Sequence, residues 1–202
     1  MTKKLVVVTA GLSQPSSTRL LADRLTTATV ERLQEGPSTN SGTSVDVTVI
    51  ELRDLAHDIT NNLLTGFASP KLQEALDAVA EADGLVAVTP IFTTSYSGLF
   101  KSFIDVIEPT ALTDLPVLIG ATGGTERHSL ALDYAIRPLF TYLHAVVAPT
   151  GVYAASGDWG SEAGLVERMG RAANEFAALV RSSDRSTSVR DPFALPAGFS
   201  PF

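Results

Sequence analysis

The 202-residue chain has no cysteine. Disulfides, thiolate catalysis and cysteine-ligated zinc or iron–sulfur centres are therefore excluded, and the composition fits a cytoplasmic protein. Basic residues are also scarce, because 15 Lys and Arg stand against 22 Asp and Glu and give a formal net charge of −7. This balance argues against binding to nucleic acid, which needs a basic surface, but allows a small anionic ligand in a local positive pocket. No apolar run approaches the length of a membrane span, so no membrane association is expected.

Short, continuous apolar runs are present instead, and they alternate with segments of helical periodicity. The runs predict five strands, most of them buried on both faces: Leu5–Thr9, Val45–Ile50, Gly84–Thr89, Pro116–Ala121 and Val146–Tyr153. Apolar residues at three- and four-residue spacing predict five helices: Thr18–Gln34, Pro70–Ala82, Leu99–Ile107, Ser129–Leu143 and Glu162–Val180. This order predicts an α/β fold with a parallel sheet and helices on both faces. Glu35–Ser44 and His57–Phe67 are predicted to be connecting loops.

One domain, residues 1–182, accounts for these elements, and residues 183–202 form a C-terminal tail. The tail ends in "DPFALPAGFSPF", residues 191–202. One interpretation is a disordered end. The other is a strap that docks on a neighbouring subunit, because three Phe side chains are costly to leave in water. The sequence favours neither.

Ligands of open parallel sheets bind beyond the carboxyl ends of the strands, so the loops after strands one, three and four are informative. The first of these loops is "GLSQPSSTR", Gly11–Arg19. Its hydroxyls and guanidinium, together with the free N–H groups that open the next helix, suit a phosphate monoester. The simpler alternative is that Ser16 or Ser17 only caps the helix, which explains one hydroxyl and leaves the others unexplained.

The loop after the third strand is "TPIFTTSYSG", in which Pro90 is predicted to end the strand. A planar heterocycle needs apolar cover on its faces and polar groups along its edge. Both kinds of side chain are present here. The apolar ones are Ile91, Phe92 and Tyr96, and the hydroxyl ones are Thr93, Thr94, Ser95 and Ser97.

The loop after the fourth strand is "GATGGTERHS", Gly120–Ser129. Its two adjacent glycines let the backbone approach a flat ligand closely. Arg127 and His128 stand at the predicted start of a helix, where a cation does not help the helix dipole. They are therefore predicted to contact an anionic substrate, and the alternative is an ordinary exposed turn.

The remaining reactive residues form no recognisable catalytic or metal motif. His57 and His144 lack metal-ligand spacing, and no nucleophile elbow or Ser-His-Asp arrangement is found. No metal site and no catalytic side chain are predicted. Lys101 and Asp105 are expected to form a surface ion pair, and Trp159 is expected on the loop after the fifth strand.

Taken together, "GLSQPSSTR", "TPIFTTSYSGLFKSFID" and "ATGG" resemble the NADPH-dependent FMN reductases of the flavodoxin-like superfamily. The resemblance runs from Leu5 to about Val180, and the middle block is its most specific part. It implies a five-stranded parallel sheet in the order 2-1-3-4-5 and hydride transfer from nicotinamide C4 to flavin N5, with the flavin carrying the chemistry. It also implies a homodimer or homotetramer that supplies reduced FMN to a luciferase-like, alkanesulfonate-type monooxygenase.

The resemblance also assigns residues to each part of the ligands. The FMN phosphate would be held by Ser13, Ser16, Ser17, Thr18 and Arg19. The isoalloxazine ring would lie against Pro90, Ile91, Phe92 and Thr93, near Tyr96, Ser97 and Gly98, with Thr122, Gly123 and Gly124 along its pyrimidine edge. By hypothesis, Arg127 and His128 would bind the phosphates of NADPH.

Two positions depart from the family pattern. Phe92 stands where the family often has Tyr, and Thr93 stands where it often has Asn, so the choice between NADPH and NADH stays open. Two other functions are compatible with a flavin site. One is a quinone, azo-dye or chromate reductase with tightly bound FMN, and the other is a flavodoxin-like electron carrier, which the Arg in the phosphate loop disfavours.

Overall fold

Seven strands form one sheet in the computed structural model, which describes residues 2–35, 43–160, 163–183 and 185. The strands are β1 (Thr2–Thr9), β2 (Ser44–Glu51), β3 (Gly84–Phe92), β4 (Ser95–Tyr96), β5 (Pro116–Gly123), β6 (Val146–Val147) and β7 (Val152–Ala155). The spatial order is β2-β1-β3-β5-β6, with β7 also beside β5. Counted by position in the sheet this is the order 2-1-3-4-5, so the predicted flavodoxin-like topology is confirmed.

The predicted number of five strands differs from the seven observed. The fifth position is shared by β6 and β7, which pair with the two halves of β5. Pro149 lies between them and has no N–H for the ladder, which explains the interruption. The other addition, β4, is a two-residue strand that pairs antiparallel with the end of β3.

Helices cover both faces of the sheet because β1 is apolar on both of its sides. Leu5 and Val7 pack into one cluster, and Val6 and Val8 pack into the other. The first face carries α1 (Ser17–Gln34) and α6 (Ala163–Ser182). The second face carries α2 (Ala56–Thr65), α3 (Pro70–Ala80), α4 (Gly98–Val106) and α5 (Arg137–Tyr142).

The prediction that His57–Phe67 is a loop is wrong, because α2 occupies most of it. Its helical signal is weak because Ile59 is the one residue of this helix that is buried. The end of α2 does have a signal in the sequence, because Gly66 follows the helix and adopts the left-handed conformation with a φ of 77°.

The predicted helix Ser129–Leu143 is also not regular. A π-helical turn spans Leu132–Ile136 and α5 begins at Arg137. Pro138 lacks the N–H that a regular helix would need four residues after Tyr134, which is consistent with the break. The other helices agree with prediction to within two residues at their described ends.

Parts of two predictions fall outside the described residues. They are residues 36–42 of the first connecting loop and residues 184 and 186–202 of the tail, so the docking of the tail stays a prediction. Within the described part of the chain, no helix is both long enough and apolar enough to cross a bilayer.

Candidate active site

Three loops meet at the carboxyl edge of the sheet because the strands that lead into them are neighbours. β1 pairs with β3 up to Thr9 and Val88, and β3 pairs with β5 up to Pro90 and Thr122. The loops that follow these strands therefore emerge side by side. The sequence-predicted ligand residues lie at the ends of these strands, on these loops and on the first turns of the helices that follow them.

The first loop turns tightly into α1. Ser16 is the N-cap of α1, and its Oγ accepts a hydrogen bond from the Arg19 N–H at 3.2 Å. This Oγ lies 2.0 Å from the place that a Cβ on Gly11 would take, so a side chain at position 11 would displace the capping hydroxyl. The capping interpretation of Ser16 is thus confirmed. The hydroxyls of Ser13 and Ser17 remain on exposed residues, next to the N–H groups that open the helix.

A buried pair of hydroxyls joins the first loop to the third. Thr18 Oγ1 and Thr122 Oγ1 are 2.8 Å apart, and both residues are less than 5% exposed. Either hydroxyl can be the donor of this bond, and Thr18 also carries a backbone N–H in the first turn of α1. The pair also fixes the end of β5 against the start of α1.

Arg19 is held by two carboxylates. Its Nε lies 2.7 Å from Asp23 Oδ1 and its Nη1 lies 2.5 Å from Glu51 Oε1. The hydrogen bond to Asp23, reinforced by the charges of both carboxylates, raises the pKa of Arg19. Arg19 therefore lies at the predicted phosphate site with its charge already paired.

Sequence reasoning missed a second arginine at this loop. Arg53 follows β2 and donates from Nη1 to the Ser13 carbonyl at 3.5 Å. With the Gln14 amide oriented so that its oxygen faces the guanidinium, Nη1 also lies 2.8 Å from that oxygen. The Nε of Arg53 is 3.4 Å from Glu51, which thus bridges both arginines. The only signal in the sequence was its place just after the second strand.

The second loop is the tip of a β-hairpin, which corrects the prediction that Pro90 ends the strand. β3 continues to Phe92, and Ile91 and Phe92 pair with Tyr96 and Ser95. Thr93 and Thr94 form the two-residue turn with φ of 48° and 71°. Two β-branched residues at positive φ are strained, and such strain concentrates at functional sites.

The hairpin leads directly into α4 through Ser97. Its Oγ caps α4 by accepting from the Phe100 N–H at 3.2 Å, and its own N–H donates to Thr89 Oγ1 at 3.1 Å. Ser97 is buried, whereas Gly98 is exposed and the Phe92 side chain is 48% exposed. The hairpin therefore presents a rigid, partly apolar edge to an incoming ligand.

The third loop leaves the sheet after Gly123. Gly123 is half-buried, and the space beside the exposed Gly124 is open. Arg127 and His128 lie in a short 3-10 turn, Glu126–His128, rather than at the start of the predicted helix. Both side chains are exposed, and within the described ranges the side chain of Arg127 has no ion pair or hydrogen bond. It is thus available to an anion.

Two further predictions are confirmed. Lys101 Nζ is 2.5 Å from Asp105 Oδ1, a surface ion pair on α4. Trp159 follows β7 in a short 3-10 helix, Ser156–Gly160, where the Arg24 guanidinium lies 5.2 Å from its ring centre.

Comparison with known proteins identifies the family. The model of the NADPH-dependent FMN reductase family matches residues 3–160. The chain belongs to this family. An FMN reductase (NADPH) of Pseudomonas aeruginosa is 40% identical over 156 residues, 77% of this chain and 78% of that protein. The NADH-dependent FMN reductase SfnE of Pseudomonas putida is 35% identical over 178 residues, 86% of this chain and 90% of that protein.

A solved structure agrees with this assignment. The oxidoreductase from Corynebacterium diphtheriae has a TM-score of 0.84 and 43% identity, and the match covers 90% of this chain and 98% of that one. The predicted enzyme class is confirmed: the chain is an oxidoreductase of the FMN reductase family, with FMN and a nicotinamide nucleotide as its redox partners.

The residues at the sheet edge fit FMN. The helix start and the exposed hydroxyls are donors for a phosphate, and the open space at Gly124 admits a flat ring. Thr9 Oγ1, at the end of β1, is buried without a hydrogen-bond partner among the described residues. A buried polar atom without a partner is rare in native structures, and the place of Thr9 at the foot of the first loop is consistent with a bound ligand there.

Proposed function

We propose that the enzyme reduces free FMN with NADPH or NADH and releases the reduced flavin to a separate flavin-dependent monooxygenase. The observation that supports this most is the meeting of three loops of different chemistry at one sheet edge. One offers donors for a phosphate, one offers a rigid hairpin for a ring, and one offers the exposed Arg127 for a second anion.

The first loop binds the FMN phosphate in this proposal. The N–H groups of Ser17 and Thr18 point along the axis of an 18-residue helix, whose positive end favours an anion. The hydroxyls of Ser13 and Ser17 add donors. Ser16 shapes the turn as the N-cap, and Arg19 contributes a guanidinium that Glu51 and Asp23 hold in place.

The hairpin and the third loop bind the ring. Pro90, Ile91, Phe92 and Thr93 lie against it, with Tyr96, Ser97 and Gly98 next to them. Thr122, Gly123 and Gly124 follow its pyrimidine edge, where the absence of side chains at the glycines permits close approach. The rigid hairpin orients the ring without having to reorganise when the ligand arrives.

The third loop binds the nicotinamide nucleotide. The chemistry that FMN supplies when bound is the acceptance of a hydride at N5. The chain's own contribution is to hold the nicotinamide against the exposed ring face, and Arg127 and His128 do so through the nucleotide's phosphates. Replacing Arg127 with Ala is expected to raise the KM for NADPH and to leave FMN affinity intact.

The partner and the assembly belong to the same proposal. The resemblance of the hairpin block to reductase components that serve luciferase-like monooxygenases supports transfer of the reduced flavin. A homodimer or homotetramer is supported by exposed apolar side chains at Leu130 and Tyr134. A cytoplasmic location is supported by the need for reduced nicotinamide nucleotide.

Anaerobic stopped-flow absorbance at the flavin band tests the proposal. Purified protein is mixed with NADPH, and separately with NADH, in a large excess of free FMN. Bleaching far beyond one equivalent of enzyme is expected. Bleaching of a single bound equivalent that reoxidises on adding quinone would instead identify a quinone-type reductase, and no bleaching with either nucleotide would favour an electron carrier.

A further inference from the structure

Tyr153 on β7 carries a buried hydroxyl that the proposed reaction does not use. The residue is 6% exposed, and its ring belongs to the apolar cluster on the α4 and α5 face of the sheet. Its Oη donates a hydrogen bond to the backbone carbonyl of Thr125 at 2.7 Å. This carbonyl lies in the third loop, between the glycines and Arg127.

The bond matters because the third loop has little else to hold it. The sheet ladder ends at the pair of Gly123 and Ala155, so residues 124–128 leave the sheet and are exposed. Among the described residues, Tyr153 is the one side chain from outside this segment that hydrogen-bonds to it. The hydroxyl is therefore the tether between the loop and the sheet.

The surroundings of the hydroxyl keep this bond in place. A Cβ on Gly123 would lie 2.0 Å from the Tyr153 hydroxyl, so the glycine is required for the ring to reach Thr125. Burial, followed by the charges of Glu126 and Asp158, raises the pKa of Tyr153. The phenol thus remains a donor throughout the neutral range.

We propose that Tyr153 is a positioning residue for the nicotinamide nucleotide. Its hydroxyl fixes residues 125–128, beyond the glycines that would line the flavin, and so holds Arg127 and His128 where the phosphates of the nucleotide arrive. The inference rests on the proposed function, in which Arg127 binds those phosphates. It does not extend to FMN, because Thr122 and Gly123 are held separately by the β7 ladder and by the Thr18 hydroxyl.

The test compares Tyr153→Phe with Tyr142→Phe, which removes the hydroxyl of an 80% exposed tyrosine on α5. In Tyr153→Phe the KM for the preferred nicotinamide nucleotide is expected to rise about fivefold, with kcat and the Kd for FMN nearly unchanged. Tyr142→Phe should match the wild type in all three quantities. An unchanged KM in Tyr153→Phe would overturn the inference, and so would an equal rise in the Kd for FMN.

A second readout needs no flavin and no turnover. Trypsin cleaves after Arg127 only when the segment around it can open, so the rate of this cut in flavin-free protein reports on the tether. The cut is expected to be several times faster in Tyr153→Phe and unchanged in Tyr142→Phe. Equal rates in all three proteins would overturn the tether. Wild-type protein that fails to oxidise either nucleotide with FMN would refute the proposed function, while the proteolysis result would stand.

Discussion

The buried bond between Thr18 and Thr122 predicts a distinctive pattern of stabilities. Changing Thr18 to Val removes one hydroxyl and leaves that of Thr122 buried without its partner, which costs about 1–3 kcal/mol. Thr122→Val has the same effect on Thr18. Replacing both with Val removes both polar groups while preserving their shape, and this change is nearly neutral.

A double-mutant cycle of Thr18→Val, Thr122→Val and the double variant measures how far the two single losses of stability depend on each other. For a chain of this size a loss of about 2 kcal/mol lowers the Tm by about 4–8 °C, so each single variant should be easy to distinguish from wild type. The double variant should recover most of that loss, so the coupling free energy should approach the sum of the two single losses. Urea unfolding of the flavin-free proteins, followed by circular dichroism, gives the three values.

A matched control is available on α2. The Thr60 hydroxyl donates to the Ala56 carbonyl at an exposed position, so Thr60→Val should change the free energy of unfolding by less than about 0.5 kcal/mol. A double variant that loses the sum of the two single losses would refute the reasoning, because it would mean that each hydroxyl is stabilised by groups other than its partner. The double variant should also keep most of its FMN affinity, since the backbone N–H of residue 18 is unchanged.

Three further predictions concern the loops. Arg53→Met should weaken FMN binding about tenfold and leave riboflavin binding unchanged, because Arg53 supports the loop that would hold the phosphate. Fluorescence titration measures the Kd for FMN and the Kd for riboflavin. Arg32→Met on α1 is the control and should change neither. Thr94→Gly should raise the free energy of unfolding by about 1 kcal/mol in urea, since glycine adopts a φ of 71° without strain. Because the pKa of Tyr153 is raised in the folded protein, the unfolded phenol ionises first, and the free energy of unfolding should be full below pH 10 and fall as the pH rises through the folded pKa. Tyr153→Phe should remove this part of the alkaline loss of stability. Identical alkaline unfolding curves for the wild type and Tyr153→Phe would contradict the prediction.

The order of strands and helices was predictable because both faces of the sheet are covered. A strand that is buried on both faces must be a continuous run of apolar residues, and the runs at β1, β3 and β5 are visible in the sequence for that reason. Their neighbouring positions then bring the three loops together. The general location of the site followed from the sequence without any knowledge of side-chain contacts.

The hairpin was not predictable in the same way. A two-residue turn with positive φ at both positions normally carries Asn, Asp or Gly, and here it carries Thr93 and Thr94. Local preference therefore indicated a loop, and Pro90 reinforced that interpretation. The pairing of β3 with β4 overrides both preferences, which is the kind of local conflict that functional sites retain.

The pairing of the arginines depends on residues distant in sequence. Glu51 is 32 residues from Arg19 and meets it only because β1 and β2 end side by side. Arg53 reaches the Ser13 carbonyl across 40 residues for the same reason. Sequence reasoning assigned the Arg19 guanidinium to the phosphate and did not anticipate its ion pair with Glu51, because nothing near Arg19 in the chain reveals that partner.

The carboxylate of Glu51 affects how readily the reduced flavin would leave the enzyme at the end of the proposed reaction. Glu51 balances charge from both Arg19 and Arg53, so a phosphate at the first loop meets helix N–H groups and hydroxyls more than unpaired guanidinium charge. Hydrogen bonds of that kind are weaker than those from an unpaired arginine. An enzyme that passes its reduced flavin to another protein has to release it in every cycle. The arrangement therefore favours FMN as a substrate over FMN as a permanently bound group, which is the distinction that the stopped-flow experiment measures.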